Sequence, residues 1–474
     1  MDDHRIGSQQ RTSVPEEQLP LFAGVSAIGP RRRHATVERM SQRDAGLLRT
    51  IGTRGLAANT INSVVGAGIF AVPGALAACI GPYAPLAFLV CGVAIGAVAI
   101  CFAEGGSRMP TSGGPYGYVE AVFGPLAGFI AGTLLWLGNV LAGGGVVAAL
   151  AEVAVSLSPP VFKAPAHAVV IVGVIGGVTL VNLGGVARGA RLVDWATAVK
   201  LIPLVIFLVA GVAALHRANF VQTVAPSTQG LGRAMILALF VLTGMEVSLS
   251  VSGEVKEPAR TIPRALAIAI VTVTLLYIAI QVVAQGILGA SLSQSTVPLA
   301  DAMAKISPVL RVVLLAGTAL SMLGWVSSDI LGTPRILFAF GRDGLLPRVL
   351  GRVHPRTHVP HVAILCYAAV AIALALTGTF AELAVLATLA SSALYAAGCV
   401  AAWWLARTGV AQAGTPLNFR WLGTATVVGV GSMLLMIALA SRAEIFGLFA
   451  VIAISAIAHL VQSRALRGAQ PAEP

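Results

Sequence analysis

The sequence predicts an all-α integral membrane protein with twelve transmembrane helices. Three observations predict it. Of 474 residues, 57% are hydrophobic and only 11% are charged, against roughly 25% charged in an ordinary soluble domain. Mean hydropathy is +0.87. Apolar runs recur from residue 55 to residue 462, and a spanning helix needs ~20 mostly apolar residues. One compact core cannot absorb so much apolar sequence, because a soluble domain must still cover itself with polar groups. A soluble enzyme, a disordered chain and a nucleic-acid binder are thereby excluded.

Residues 1–50 are polar, include Arg31, Arg32 and Arg33, and show no apolar core of a cleavable signal; the expectation is a disordered cytoplasmic tail. Candidate spans follow at 55–78, 83–104, 124–157, 166–184, 192–215, 232–253, 264–288, 309–338, 361–378, 381–405, 421–441 and 443–462. The last two are divided only by Ser441, Arg442, Ala443 and Glu444, and residues 463–474 read as a second cytoplasmic tail. The net charge of +12 is distributed unevenly. With the N-terminus in the cytoplasm, the spans alternating, and Arg233, Arg264, Arg311 and Arg335 near span ends counted with the adjoining loops, 24 of the 31 Lys+Arg fall in cytoplasmic segments, 6 in outer loops, and Lys200 remains inside a span. That bias fits the positive-inside rule and supports both the count and the orientation. The five cysteines lie in or beside apolar segments with no CxxC or Cys/His spacing, so neither disulfides nor a metal are expected.

Two spans carry signs of interruption. The first contains Val65-Gly66-Ala67-Gly68-Ile69-Phe70 followed by Pro73-Gly74. Closely spaced glycines weaken a helix interior. Non-helical backbone at membrane depth survives only where it lines a cavity or is buried in protein, although small residues also serve close helix packing. The sixth span contains Phe240-Val241-Leu242-Thr243-Gly244-Met245-Glu246, a glycine two residues before an intramembrane acid. Spans 1 and 6 are five apart, and paired interruptions in corresponding helices point to a transporter site.

These residues resemble the amino acid–polyamine–organocation family of secondary transporters. The resemblance rests on Gly66-Ala67-Gly68-Ile69-Phe70, on Glu104-Gly105-Gly106-Ser107-Arg108-Met109-Pro110-Thr111-Ser112-Gly113-Gly114-Pro115-Tyr116-Gly117-Tyr118, on Gly244-Met245-Glu246 with Gly253-Glu254-Val255-Lys256-Glu257-Pro258 and Ile262-Pro263-Arg264-Ala265, and on Arg335 with Gly341-Arg342-Asp343-Gly344-Leu345-Leu346-Pro347. The matches extend over roughly residues 55–350 in family order. The resemblance implies a LeuT-type fold: a core over 51–405 made of two inverted five-helix repeats, about 51–218 and 230–405, then helices 11 and 12 over 419–462. It also implies alternating-access transport of an amino acid or related amine, with no cofactor.

A zwitterionic substrate brings a carboxylate and an ammonium. Exposed N–H groups at a half-helix N-terminus attract the first, and unpaired carbonyls at a half-helix C-terminus attract the second. By similarity, Val64, Val65, Gly66, Ala67, Gly68 and Ile69 form one side of the pocket, with Ala67 where many relatives carry Ser. Phe240, four residues before Gly244, matches an aromatic that covers bound substrate; packing is the alternative. Asn139 resembles a pocket asparagine of arginine/agmatine exchangers; an interhelical hydrogen bond, worth ~0.6 kcal/mol on average, is its alternative.

Lys200 stands nine residues after Arg191, about 13 Å along a helix at ~1.5 Å per residue. Snorkelling to the cytoplasmic interface is one reading. The resemblance favours the other, a fixed or protonatable cation where sodium-coupled members bind the ion, and hence sodium-independent transport. Glu246 and Asp329 are intramembrane acids and coupling candidates. Glu246 is read as a proton relay or as a tether for helix 6. Asp329 is read as attracting a cationic substrate, pairing with Lys200, or facing an inner vestibule. Glu152 and Asp194 fall near predicted helix ends. Arg335, Arg342, Arg348, Arg352 and Arg356 form a basic cytoplasmic stretch suited to anionic membrane lipid.

A polyamine or other organic-cation transporter on the same scaffold is the alternative, supported by Asp329 alone. A channel would need a repeated pore-lining pattern or charge ring, and a membrane enzyme a catalytic cluster; neither pattern is present. No GxxxxGK[ST] phosphate loop indicates ATP. The expected partners are a small-molecule substrate, protons as a coupling ion, and membrane lipid; no nucleic acid is expected. Oligomeric state is not legible.

Overall fold

Proline opens many of the helices. Pro73, Pro85, Pro203, Pro258, Pro308 and Pro334 stand at the first or second helical position, where a missing N–H costs nothing and φ is already helical. A computed structural model describes residues 49–110, 114–155, 163–185, 200–221, 225–412 and 415–468. Most of the predicted N-terminal tail, Arg191, Asp194 and residues 469–474 lie outside them.

The first predicted span is filled by α1 (Thr53–Val64), a 3-10 turn (Ala67–Phe70) and α2 (Val72–Ile80). Next come α3 (Ala84–Arg108), α4 (Gly114–Phe123), α5 (Pro125–Val155), α6 (Lys163–Leu183) and α7 (Ile202–Gly211). The sixth span is divided between α8 (Thr228–Leu242) and α9 (Met245–Leu249). Then follow α10 (Pro258–Leu288), α11 (Pro298–Ala304), α12 (Pro308–Gly332) and α13 (Pro334–Arg342). The chain closes with α14 (His361–Thr377), α15 (Phe380–Arg407), α16 (Leu422–Ala438) and α17 (Arg442–Gly468). Among the described residues there is no strand; Ile51 and Val255 form one isolated parallel bridge. Three backbone hydrogen bonds flank it, Thr50 N and Ile51 N to Glu254 O at 2.9 and 3.0 Å and Lys256 N to Ile51 O at 2.9 Å.

Eight stretches among the described residues are long and apolar enough to cross a membrane. The stretches at 361–377 and 422–438 are shorter than the uniform spans expected from sequence. Pro360 and Gly378 bracket the first of these, and residues 192–199 of the fifth predicted span lie outside the described residues. Lys200, expected inside helix 5, occupies with Leu201 a turn just before α7. Glu152 lies near the end of α5 and is half exposed.

Helices α5 and α15 form the centre. In their most apolar windows 78% and 72% of residues are buried, against 11% in α17. That outer helix presents Phe446, Phe449, Ile454 and Ile457, an apolar face suited to lipid and not to water. Close packing at the centre uses Gly143, Gly144 and Gly145 on α5. A Cβ on each would press against a different neighbour: Tyr367 and Asp329, Leu374, and Leu383. Three consecutive glycines therefore let three segments approach one helix.

A buried ion pair fixes one end of the bundle. Arg108 Nε lies 2.7 Å from Glu104 Oε1 near the end of α3, with side chains 5% and 0% exposed. The pair is fully engaged by the linker between α15 and α16. Arg108 donates to Val410 O and Asn418 Oδ1, while Asn418 N and Phe419 N donate to the Glu104 carboxylate. Removing the cation would strand a buried carboxylate, which costs about 3–5 kcal/mol. Arg108→Ala is therefore expected to lower the thermal midpoint in detergent far more than Arg356→Ala on the exposed loop, measured by fluorescence-detected melting.

Candidate functional site

The site begins with two places where the backbone leaves the helix. Val65 turns out of α1 at φ −70°, ψ 75°, and Gly66 is extended at φ −86°, ψ −167°. Thr243 is extended at φ −76°, ψ 166°, and Gly244 adopts φ +119°, ψ −8° before α9 begins. The breaks touch. A Cβ on Gly244 would stand 2.8 Å from Ser63 O and 3.3 Å from Val64 Cα. Positive φ and the approach of another backbone both demand glycine here.

Freed polar groups at these breaks find specific partners. From α10, the fully buried Tyr277 donates its hydroxyl to Val64 O at 2.9 Å, and Gln281, one turn on, donates to Pro73 O at 3.3 Å. The Lys200 ammonium, 5% exposed, donates to Asn62 O. It thus places positive charge on the carbonyl end of α1, where the helix dipole favours it. At the second break the Glu246 carboxyl accepts the Gly244 N–H at 3.1 Å and the Tyr395 hydroxyl of α15. Thr60 of α1 also donates to Ser248 of α9, at 3.0 Å.

Between the breaks lies a cavity of about 70 Å³. Of the sequence-predicted residues, Val64, Gly66, Gly68, Asn139, Phe240, Gly244 and Glu246 line it. Val65 and Ile69, expected in the lining, are instead fully buried in the surrounding core; the backbone turn sends their side chains outward from the cavity. Ala67 begins the 3-10 turn. Lys200 sits behind α1 and not in the lining. Asp329 also stands apart: Thr333 and Tyr367 donate hydroxyls to its two carboxylate oxygens. No ion pair joins Lys200 to Asp329 among the described residues, so of the three readings of Asp329 that one is not seen; each has another polar partner.

Sequence reasoning missed Trp325 of α12 and Ser391 of α15, which complete the lining. Trp325 lies against Gly66, where an added Cβ would be 3.0 Å from its indole nitrogen. Its four-residue spacing before Asp329, on one helix face, was a usable signal. Ser391 was hidden in an alanine-rich run. Asn139, Ser391 and the Trp325 indole have no hydrogen-bond partner among the described residues, so polar groups converge on the cavity with bonding capacity to spare. For Asn139 the interhelical bond considered from sequence is thus not formed with any described residue. Phe240 covers one side, its ring edge-on to Phe380 at 5.9 Å.

A multi-pass helical bundle with two interrupted helices meeting at a small polar cavity defines a membrane transporter. The chain belongs to the amino acid permease family, whose model matches residues 51–462. It is similar to an uncharacterized transporter of Mycobacterium tuberculosis, 36% identical over 329 residues that cover 67% of this chain and 71% of the relative. It is 29% identical over 336 residues to the serine/threonine exchanger SteT of Bacillus subtilis, covering 69% of this chain and 76% of that one. The methylthioribose transporter of Bacillus subtilis is 26% identical over 339 residues, covering 66% and 72%. Family and named relatives are transporters, not enzymes.

Gly244→Ala is expected to reduce folded yield and to cost about 1–3 kcal/mol of stability, since it forces a side chain into a left-handed backbone against Ser63. Gly173→Ala, where a Cβ meets nothing within 4 Å, is expected to be neutral or mildly stabilising. Thermal melting of both variants in the same detergent checks the contrast.

Proposed function

We propose that the protein carries small neutral amino acids across the cell membrane by sodium-independent secondary active transport with alternating access, coupled to protons or to exchange. The observation that carries this reading is the set of polar groups, Asn139, Ser391 and the Trp325 indole, that have no hydrogen-bond partner among the described residues and surround a cavity of about 70 Å³ between two broken helices. That volume suits a small substrate, and the similarity to a serine/threonine exchanger is in keeping with it. Twelve crossings, two inverted repeats over 51–218 and 230–405, and cytoplasmic termini belong to the same proposal. The charge bias of the loops supports the orientation.

In this reading the non-helical backbone of Gly66, Ala67 and Gly68 faces the substrate carboxylate. Lys200 takes the place of sodium by holding a positive charge on Asn62 O. Glu246, in the lining and bonded to the break itself, is the coupling acid. The organic-cation reading rested on Asp329, and that carboxyl is engaged by Thr333 and Tyr367 away from the lining.

Purified protein in liposomes, in sodium-free buffer, is expected to take up labelled serine, threonine or alanine. Stimulation by an inward proton gradient identifies symport, and dependence on internal amino acid identifies exchange. Uptake that requires sodium, or none from an amino-acid panel under either condition, overturns the proposal. Lys200→Ala is expected to lower the initial rate at least tenfold while the protein stays folded; normal transport with unchanged pH dependence would remove Lys200 from the mechanism. Phe240→Ala is expected to raise KM several-fold with normal expression, which saturation kinetics in the same liposomes would read.

A further inference from the structure

A second hollow lies on the outer flank of the bundle. It has a volume of about 700 Å³ and runs between α3, α10 and α16. Val93, Gly96 and Ile100 form one wall, Ala267 and Val271 another, and Phe419 closes one end. Thr424 alone among its lining residues carries a hydroxyl. From Val93 to Ala103 the wall runs about 15 Å at ~1.5 Å per residue, the depth of one leaflet's hydrocarbon. Its flank is open: Val93 is 64% and Val271 59% exposed. A Cβ on Gly96 would meet nothing within 4 Å, so the floor is unfilled by the chain itself.

Charge is concentrated at the end where Phe419, Ala103 and Pro263 meet. Arg260 and Arg264 precede Ala267 and Val271 at intervals of four, three and four residues, which places all four on one stripe of α10. The exposed Arg420 guanidinium lies 5.7 Å from the ring of Trp421, itself part of the lining. Glu257 stands 3.8 Å from Arg260; among the described residues Arg264 and Arg420 have no ion-pair partner. The Glu104–Arg108 pair holds the linker that carries Phe419 and Arg420, so this end of the hollow is built and not incidental. The loop charge bias assigns this end to the cytoplasm.

We infer that this hollow binds one anionic phospholipid of the inner leaflet, with an acyl chain along Val93–Ile100 and Ala267–Val271 and its phosphate between Arg264 and Arg420. Guanidinium groups at a membrane surface attract anionic headgroups and grip phosphate oxygens in a forked geometry. A zwitterionic lipid has the same chains but no net charge for the arginines to select.

The test is native mass spectrometry of the purified full chain in detergent, with equimolar dioleoyl phosphatidylglycerol and dioleoyl phosphatidylcholine. It depends on neither transport nor orientation. Wild-type protein is expected to retain one phosphatidylglycerol with a preference of tenfold or more. R264Q/R420Q is expected to lose that preference, a change of roughly thirtyfold for two basic groups; both positions are exposed, so the fold is kept. G96L/A267L fills the hollow and is expected to retain several-fold less phosphatidylglycerol, with an unchanged melting midpoint. Equal retention of the two lipids by wild-type protein overturns the inference. So does an unchanged preference in R264Q/R420Q, or a dimer of this chain that only G96L/A267L dissociates.

Discussion

A backbone that stops being helical inside a membrane frees N–H and C=O groups where no water can satisfy them. That constraint governs the arrangement around both breaks. Each break is supported from an unbroken neighbour. Helix α10 runs 31 residues and spends two fully buried polar side chains, Tyr277 and Gln281, on carbonyls of the first broken helix. Helix α15 supplies Tyr395 to the second break, where Glu246 occupies the N–H of Gly244. The long helices are therefore scaffolds for the short ones.

The partners separate support from recognition. Tyr277, Gln281 and Lys200 each donate to a carbonyl of the first broken helix, and Asp329 accepts from Thr333 and Tyr367. Asn139 and Ser391 face the cavity with no hydrogen-bond partner among the described residues. An intramembrane charge marks a functional region, but the partner set decides whether it meets a ligand or holds the frame that does. The flank hollow follows similar logic at larger scale, with apolar walls for chains and arginines for a headgroup.

Much of this was legible in the amino-acid sequence. Apolar runs located the helices, since lipid leaves little choice of composition. Gly66, Gly68 and Gly244 located the breaks, because few other constraints place glycines two apart or beside an acid at membrane depth. Phe240 and Asn139, singled out from the sequence, line the cavity between the breaks. Side-chain direction was not legible: Val65 and Ile69 adjoin lining residues, yet the turn at Gly66 points them into the core. Trp325 and Ser391 come from helices far away in sequence, and their meeting depends on tertiary packing that no local pattern encodes. The short α14 reflects Pro360 and Gly378, which an apolar count does not weigh.

The parallel bridge between Ile51 and Val255 has a mechanical consequence. It joins the chain just before α1 to the chain just after α9 through backbone atoms alone, so side-chain exchange leaves it intact. The two broken helices are yoked at that end as well as touching at their breaks. Any displacement of α1 drags the loop after α9 with it, or ruptures three hydrogen bonds together. The half-helices then travel as a pair, which turns two separate hinges into one moving part.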